Sequence, residues 1–162
     1  MKGVFVEQVH PVNPSQVEKL TYEWCKGLFG QQVTLCPRPS GSIAGNHYHR
    51  GVDASKNPER CIIVSGRGRL RTCNGIETQE WMLERPFTEV TIYPSILHAF
   101  VVEEDMLLIE YRATLFDSQY PDTYALETFF PYLENKKLPA DIAALAAFQE
   151  HQENPLITCA TK

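Results

Sequence analysis

His47 and His49, two residues apart in NHYHR, form a candidate pair of metal ligands. On a β-strand that spacing puts both imidazoles on one face and Tyr48 on the other. Two imidazoles pointing one way suit a divalent transition metal. Glu59 heads the run ERCIIVSG, where alternation gives it the same face as Cys61 and Ile63. His98 follows the turn-like YPSIL and opens another strand. Three imidazoles and a carboxylate together would make a mixed nitrogen–oxygen site. Each piece has an ordinary reading too: paired histidines occur on solvated strand faces, and glutamates often begin strands. What distinguishes these four is that they share one β-rich stretch.

That stretch runs from about residue 31 to residue 111, with short segments QVTLC, ERCIIVS, RLRTC, FTEVTIY, HAFVV and MLLIEYR between glycines, prolines and acidic corners. Asn74-Gly75 is a two-residue hairpin signal, because both central positions of a type I′ turn need positive φ. Seven or eight strands without intervening helices predict a mainly β sandwich or barrel, with its core over about residues 31–112. A helix is expected over about residues 14–26: Asn13 caps it, Pro14 suits the first position, Gln16 completes the box, and Val17, Leu20 and Trp24 share a face before Gly27. A second is expected over about residues 139–151, with Pro139 in its first turn and Ile142, Leu145 and Phe148 facing inward. With no repeat, low-complexity tract or long linker, residues 1–162 are expected to form one domain.

The 162 residues carry 15 basic and 20 acidic side chains, a net charge of −5. That balance argues against nucleic-acid binding, which needs a basic face to displace counterions. No apolar run approaches the ~20 residues of a membrane span. The opening MKGVFVEQVHPVNPSQ lacks the apolar stretch of a signal peptide. The five cysteines include no CxxC pair, which suits reduced thiols. A cytoplasmic protein without membrane or nucleic-acid partners is expected.

The segment GSIAGNHYHRGVDASKNPERCIIVSG resembles the first motif of the cupin superfamily, with Gly41, His47, His49, Glu59 and Gly66 in its places. YPSILHAFVV, with Pro94 and His98, is similar to the second. The nine residues between His49 and Glu59 exceed the usual three or four, Ser95 stands where glycine is usual, and Val102 stands where asparagine is common. The resemblance implies a single jelly-roll β-barrel whose metal is held by His47, His49, Glu59 and His98. More narrowly, these segments with EYRATLFDSQYPDTY resemble the carboxyl-terminal cupin of capsular-polysaccharide reductase/epimerases. That likeness implies action on a nucleotide-linked 4-keto hexose in polysaccharide precursor synthesis, with zinc in the barrel (iron, manganese or nickel as alternatives), and a homodimer.

Epimerisation or isomerisation beside a carbonyl needs a general base and a stabiliser for the enolate. If the three histidines all bind metal, the base comes from elsewhere, and Tyr93, Glu110 and Tyr111 are candidates near the second motif. Without metal, His47 or His49 could serve. Lys56, Arg60, Arg69 and Arg71, with Arg67, are candidate cations for a nucleotide diphosphate. Arg67, Arg69 and Arg71 also alternate as a solvated outer face does. Two other readings share the site: a metal-dependent dioxygenase-type cupin acting on a small organic substrate, and a non-catalytic sugar- or metabolite-binding barrel.

Overall fold

The computed structural model describes residues 1–10, 32–119 and 121–125. Both expected helices, 14–26 and 139–151, lie outside the described residues. Among those described, eight strands form one mainly β structure: β1 (Val4–Gln8), β2 (Gln32–Arg38), β3 (Ile43–Tyr48), β4 (Glu59–Cys73), β5 (Thr78–Leu83), β6 (Thr88–Ile92), β7 (Leu97–Arg112) and β8 (Tyr124–Ala125). No described helix is long and apolar enough to cross a membrane.

The spine is the antiparallel ribbon of β4 and β7, paired from Arg60 opposite Tyr111 to Cys73 opposite Leu97. At one end, β6 lies against Glu59–Ile63 and β2 against Met106–Arg112, with β1 outside β6. At the other end, β5 lies against Gly68–Cys73 and β3 against the start of β7, with β8 outside β3. The two half-sheets therefore share their central strands. Ile63 and Leu108 from one half pack in the same buried cluster as Leu70 and Phe100 from the other, so the halves face each other across the core. Among the described residues no ladder joins β1 to β8, so the hydrogen-bonded path stays open where a closed barrel was expected.

The ribbon also removes two expected strand breaks. ERCIIVS and RLRTC are one strand of 15 residues, and HAFVV and MLLIEYR are one strand of 16. The intervening SGRG and acidic corner are bends, marked by register shifts between Ile63 and Gly68. Gly66 there has φ of +88°, and a Cβ on it would lie 2.3 Å from the Asp105 carbonyl oxygen. A bulge with a glycine at the bend lets a strand fold over without losing its ladder. The β4–β5 hairpin is likewise longer than expected. Cys73 pairs with Thr78, and the Asn74 side chain accepts from the Ile76 and Glu77 amides at 3.0 and 2.9 Å. Only Gly75 of the central pair has positive φ, so the turn is not type I′.

Candidate metal centre

The two ends of the folded ribbon bring the four candidate ligands together. His47 closes β3 across a bulge after Gly45 and pairs with His98 on β7. His49 follows the end of β3, and its ring lies 4.7 Å from that of His47 and 5.4 Å from that of His98. The long connection to β4 is filled by a 3-10 turn, Ala54–Lys56, capped where Asp53 accepts from the Ser55 amide at 2.8 Å. Asp122 pins the same loop, accepting from the amides of Arg50 and Asp53 at 2.9 and 3.2 Å. So held, the loop returns Glu59 to the cluster, with Oε2 3.2 Å from His49 Nε2 and 3.0 Å from His98 Nε2. One donor atom from each of the four lies within 4.8 Å of the others. Ser95 explains why its position in the second motif favours glycine: it has φ of +64°, and its amide donates to the His49 carbonyl at 2.6 Å.

The hydrogen bonds behind the rings fix what they present. His49 Nδ1 contacts the Asp122 carbonyl, and His98 Nδ1 lies 3.0 Å from the Ile96 carbonyl. A carbonyl only accepts, so each Nδ1 carries a proton and each Nε2 can turn a lone pair inward. Those inward atoms face Glu59 Oε2, itself an acceptor, and such an arrangement calls for a cation, whether ring protons or a metal ion. His47 Nε2 is buried with no hydrogen-bond partner among the described residues. Burial, reinforced by the His98 and His49 rings, pushes the His47 pKa down to about 3, leaving its ring neutral. The donor set thus fits a divalent transition metal.

Lys56, expected to bind substrate, is buried beside the cluster. Its Nζ donates to Glu59 Oε1 at 2.5 Å and to Glu110 Oε1 at 2.6 Å. Burial lowers its pKa, but the two carboxylates outweigh that and hold it above the usual lysine value. Burial would raise the Glu59 carboxyl, yet His98, His49 and Lys56 hold it well below the usual range. Behind Glu110, Arg112 donates to Oε1 at 3.2 Å and pairs with Asp53. Asp53 also accepts from the Thr114 hydroxyl at 2.8 Å.

His47, Lys56, Glu59, His98, Glu110 and Arg112 line a cavity of about 390 Å³ whose wall includes alternate residues of β2, Gln32, Thr34, Cys36 and Arg38. Cross-strand register separates the remaining candidates. Thr34, Glu110 and Cys61 lie in one row, and all three line the cavity. Val33, Tyr111 and Arg60 form the next row, on the opposite face, where Val33 is exposed. Tyr93 packs edge-on against the exposed Phe5 at 6.0 Å. Of the three base candidates, only Glu110 lines the cavity. Among the expected phosphate-binding cations, Arg60 pairs with Glu89 at 3.8 Å, Arg69 reaches Glu80 and Glu103, and Arg71 lies 2.6 Å from Glu80. Arg67 pairs with Glu103 and Glu104. The alternating arginines therefore belong to an outer ion-pair network.

Sequence reasoning missed Asp53, Arg112, Thr114 and Asp122. Asp122 lies inside EYRATLFDSQYPDTY, a segment noted only for its resemblance; the other three carried no recognisable spacing signal.

No protein-family model matches the chain, and no curated protein matches it. Solved structures do. QdtA, a sugar 3,4-ketoisomerase from Thermoanaerobacterium thermosaccharolyticum in complex with TDP, aligns with a TM-score of 0.62 and 13% identity over 85% of this chain and 99% of that one. The TDP-quinovose 3,4-ketoisomerase WlaRB from Campylobacter jejuni gives 0.63 and 13% over 83% and 100%. The capsular polysaccharide assembling protein CapF from Staphylococcus aureus gives 0.51 and 27% over 65% of this chain, which spans 31% of CapF. The chain shares the cupin fold with these structures.

Proposed function

We propose that this cupin is a metal-dependent isomerase or epimerase acting beside the keto group of a nucleotide-linked sugar. Zinc is the expected ion and a homodimer the expected assembly. The observation that carries the reading is that three of the four clustered donors, His47, Glu59 and His98, line one cavity with the Glu110 carboxylate. A binding module needs no acid–base group beside its metal. The fold shared with 3,4-ketoisomerases and CapF supports the substrate class. CapF has also been solved with the inhibitor 3-isopropenyl-tropolone, and tropolones are bidentate metal chelators.

His47, His49, His98 and Glu59 would hold the ion, which when bound polarises the sugar carbonyl and stabilises the developing enolate oxygen. The chain's own residues do the rest. Lys56 and Arg112 both engage Glu110 Oε1, leaving Oε2 without a partner among the described residues. That oxygen can accept the carbon-bound proton beside the carbonyl and return it. A base so placed contributes roughly 10²–10⁴-fold.

The test combines elemental analysis of tag-free protein with solvent-deuterium incorporation into a nucleotide-linked 4-keto hexose. About one metal per chain, lost in His49→Ala, with deuterium appearing beside the carbonyl, is the expected result. Glu110→Gln should keep the metal and lose exchange by roughly 10²-fold or more. Absence of metal after reconstitution, or full exchange by the Gln variant, would overturn the corresponding part.

A further inference from the structure

Lys56 is a costly residue to bury: it is only 6% exposed, and an ammonium leaves water only when fully paired. Its place is fixed from behind. The 3-10 turn that carries it is tied to the strand-end region by Ser55, whose hydroxyl lies 2.7 Å from the Thr114 hydroxyl and accepts from the Thr114 amide at 2.9 Å. From there Nζ contacts one oxygen of each of two carboxylates, Glu59 and Glu110. The division of labour within Glu59 is sharp. Oε1 faces Lys56, while Oε2 faces His49 and His98.

We infer that Lys56 restricts Glu59 to one coordinating oxygen and holds Glu110 outside the coordination sphere, keeping positions on the ion open for substrate. The inference rests on the metal-centre reading above. A free glutamate can grip a divalent ion with both oxygens, and a second carboxylate sharing the same ammonium would be drawn to a dication nearby. Catalytic sites instead keep a vacant position. Lys56 is thus a positioning residue. Without it, Glu59 Oε1 has no other hydrogen-bond donor among the described residues, and Glu110 keeps only Arg112.

The test uses the full chain loaded with cobalt(II) as a visible probe, titrated with tropolone as a bidentate ligand that needs open positions. Wild-type protein should bind cobalt and shift its absorption on adding tropolone. Lys56→Met should retain cobalt at least as tightly but bind tropolone about tenfold or more weakly, the scale of effects from groups behind a metal site. The double variant Lys56→Met/Glu110→Gln should regain part of the tropolone affinity, because an amide is a poor competitor for the ion. If Lys56→Met does not fold by circular dichroism, Lys56→Gln, which can still donate to one carboxylate, is read in the same titration. Unchanged tropolone affinity would overturn the inference. So would loss of cobalt from a folded Lys56 variant, since the lysine would then build the site rather than restrict it. Failure of wild-type protein to bind cobalt would remove the metal reading itself, a separate result.

Discussion

Glu59 Oε2 lies 3.0 Å from His98 Nε2, although His98 pairs with Thr72, thirteen residues further along β4 than Glu59. A straight strand of that length would separate the two by roughly 43 Å at ~3.3 Å per residue. The contact exists because the β4–β7 ribbon doubles over at its bulges.

Gly66 should therefore matter more than its size suggests. Gly66→Ala is expected to destabilise the protein by about 3 kcal/mol, combining the positive φ with the clash against Asp105. Gly41→Ala is the control: its φ is +78°, but an added Cβ meets nothing within 4 Å, so about 1 kcal/mol is expected. Urea unfolding of both variants checks this, and equal costs would mean that the bend tolerates a side chain.

Asp53 gives a pH dependence of defined sign. Burial raises its carboxyl, but the Ser55 amide, the Thr114 hydroxyl and Arg112 outweigh it, so the pKa falls below the usual value. A depressed carboxylate stabilises the fold fully above its unfolded value of about 3.9 and loses that as pH falls through the folded value. Asp53→Asn should cost about 1–2 kcal/mol at pH 7, with the gap steady to about pH 5 and closing below about pH 4. Denaturation of both proteins across that range reads it; a gap that widens on acidification contradicts the assignment.

Asp122 supports His49 from two sides, through its carbonyl at the ring and its carboxylate at the loop amides. Asp122→Ala keeps the carbonyl but frees the loop. Metal affinity is expected to fall about tenfold, measured by competition with a chromogenic chelator. An unchanged affinity would show that the carbonyl alone suffices.

Arg71 should be dispensable. Its pair with Glu80 sits on the outer face, so Arg71→Ala should change stability by less than about 1 kcal/mol and leave KM for a sugar nucleotide unaltered. A large rise in KM would return the arginine stripe to the binding site.

The four-donor cluster was legible because strand alternation and a known motif both depend on local spacing. Its surroundings were not. Lys56, Asp53 and Arg112 meet only because a nine-residue loop folds into a 3-10 turn and lands against the end of β7, contacts separated by more than 50 residues. Tyr111 and Glu110 are neighbours whose faces are distinguished by register with β2, where Thr34 is inside and Val33 outside. Spacing alone could not supply that register. The long strands were read as broken because glycines and acidic corners signal turns and bends alike.

The donors at the centre come from β4, β7 and the end of β3, segments far apart in the chain. An ion captured there would act as a clasp that the unfolded chain cannot reproduce. Ligand that binds only the folded form stabilises it by about 2.7 kcal/mol at a hundredfold excess over Kd. Melting temperature should then climb with the logarithm of free metal, ranking candidate ions before any substrate is known.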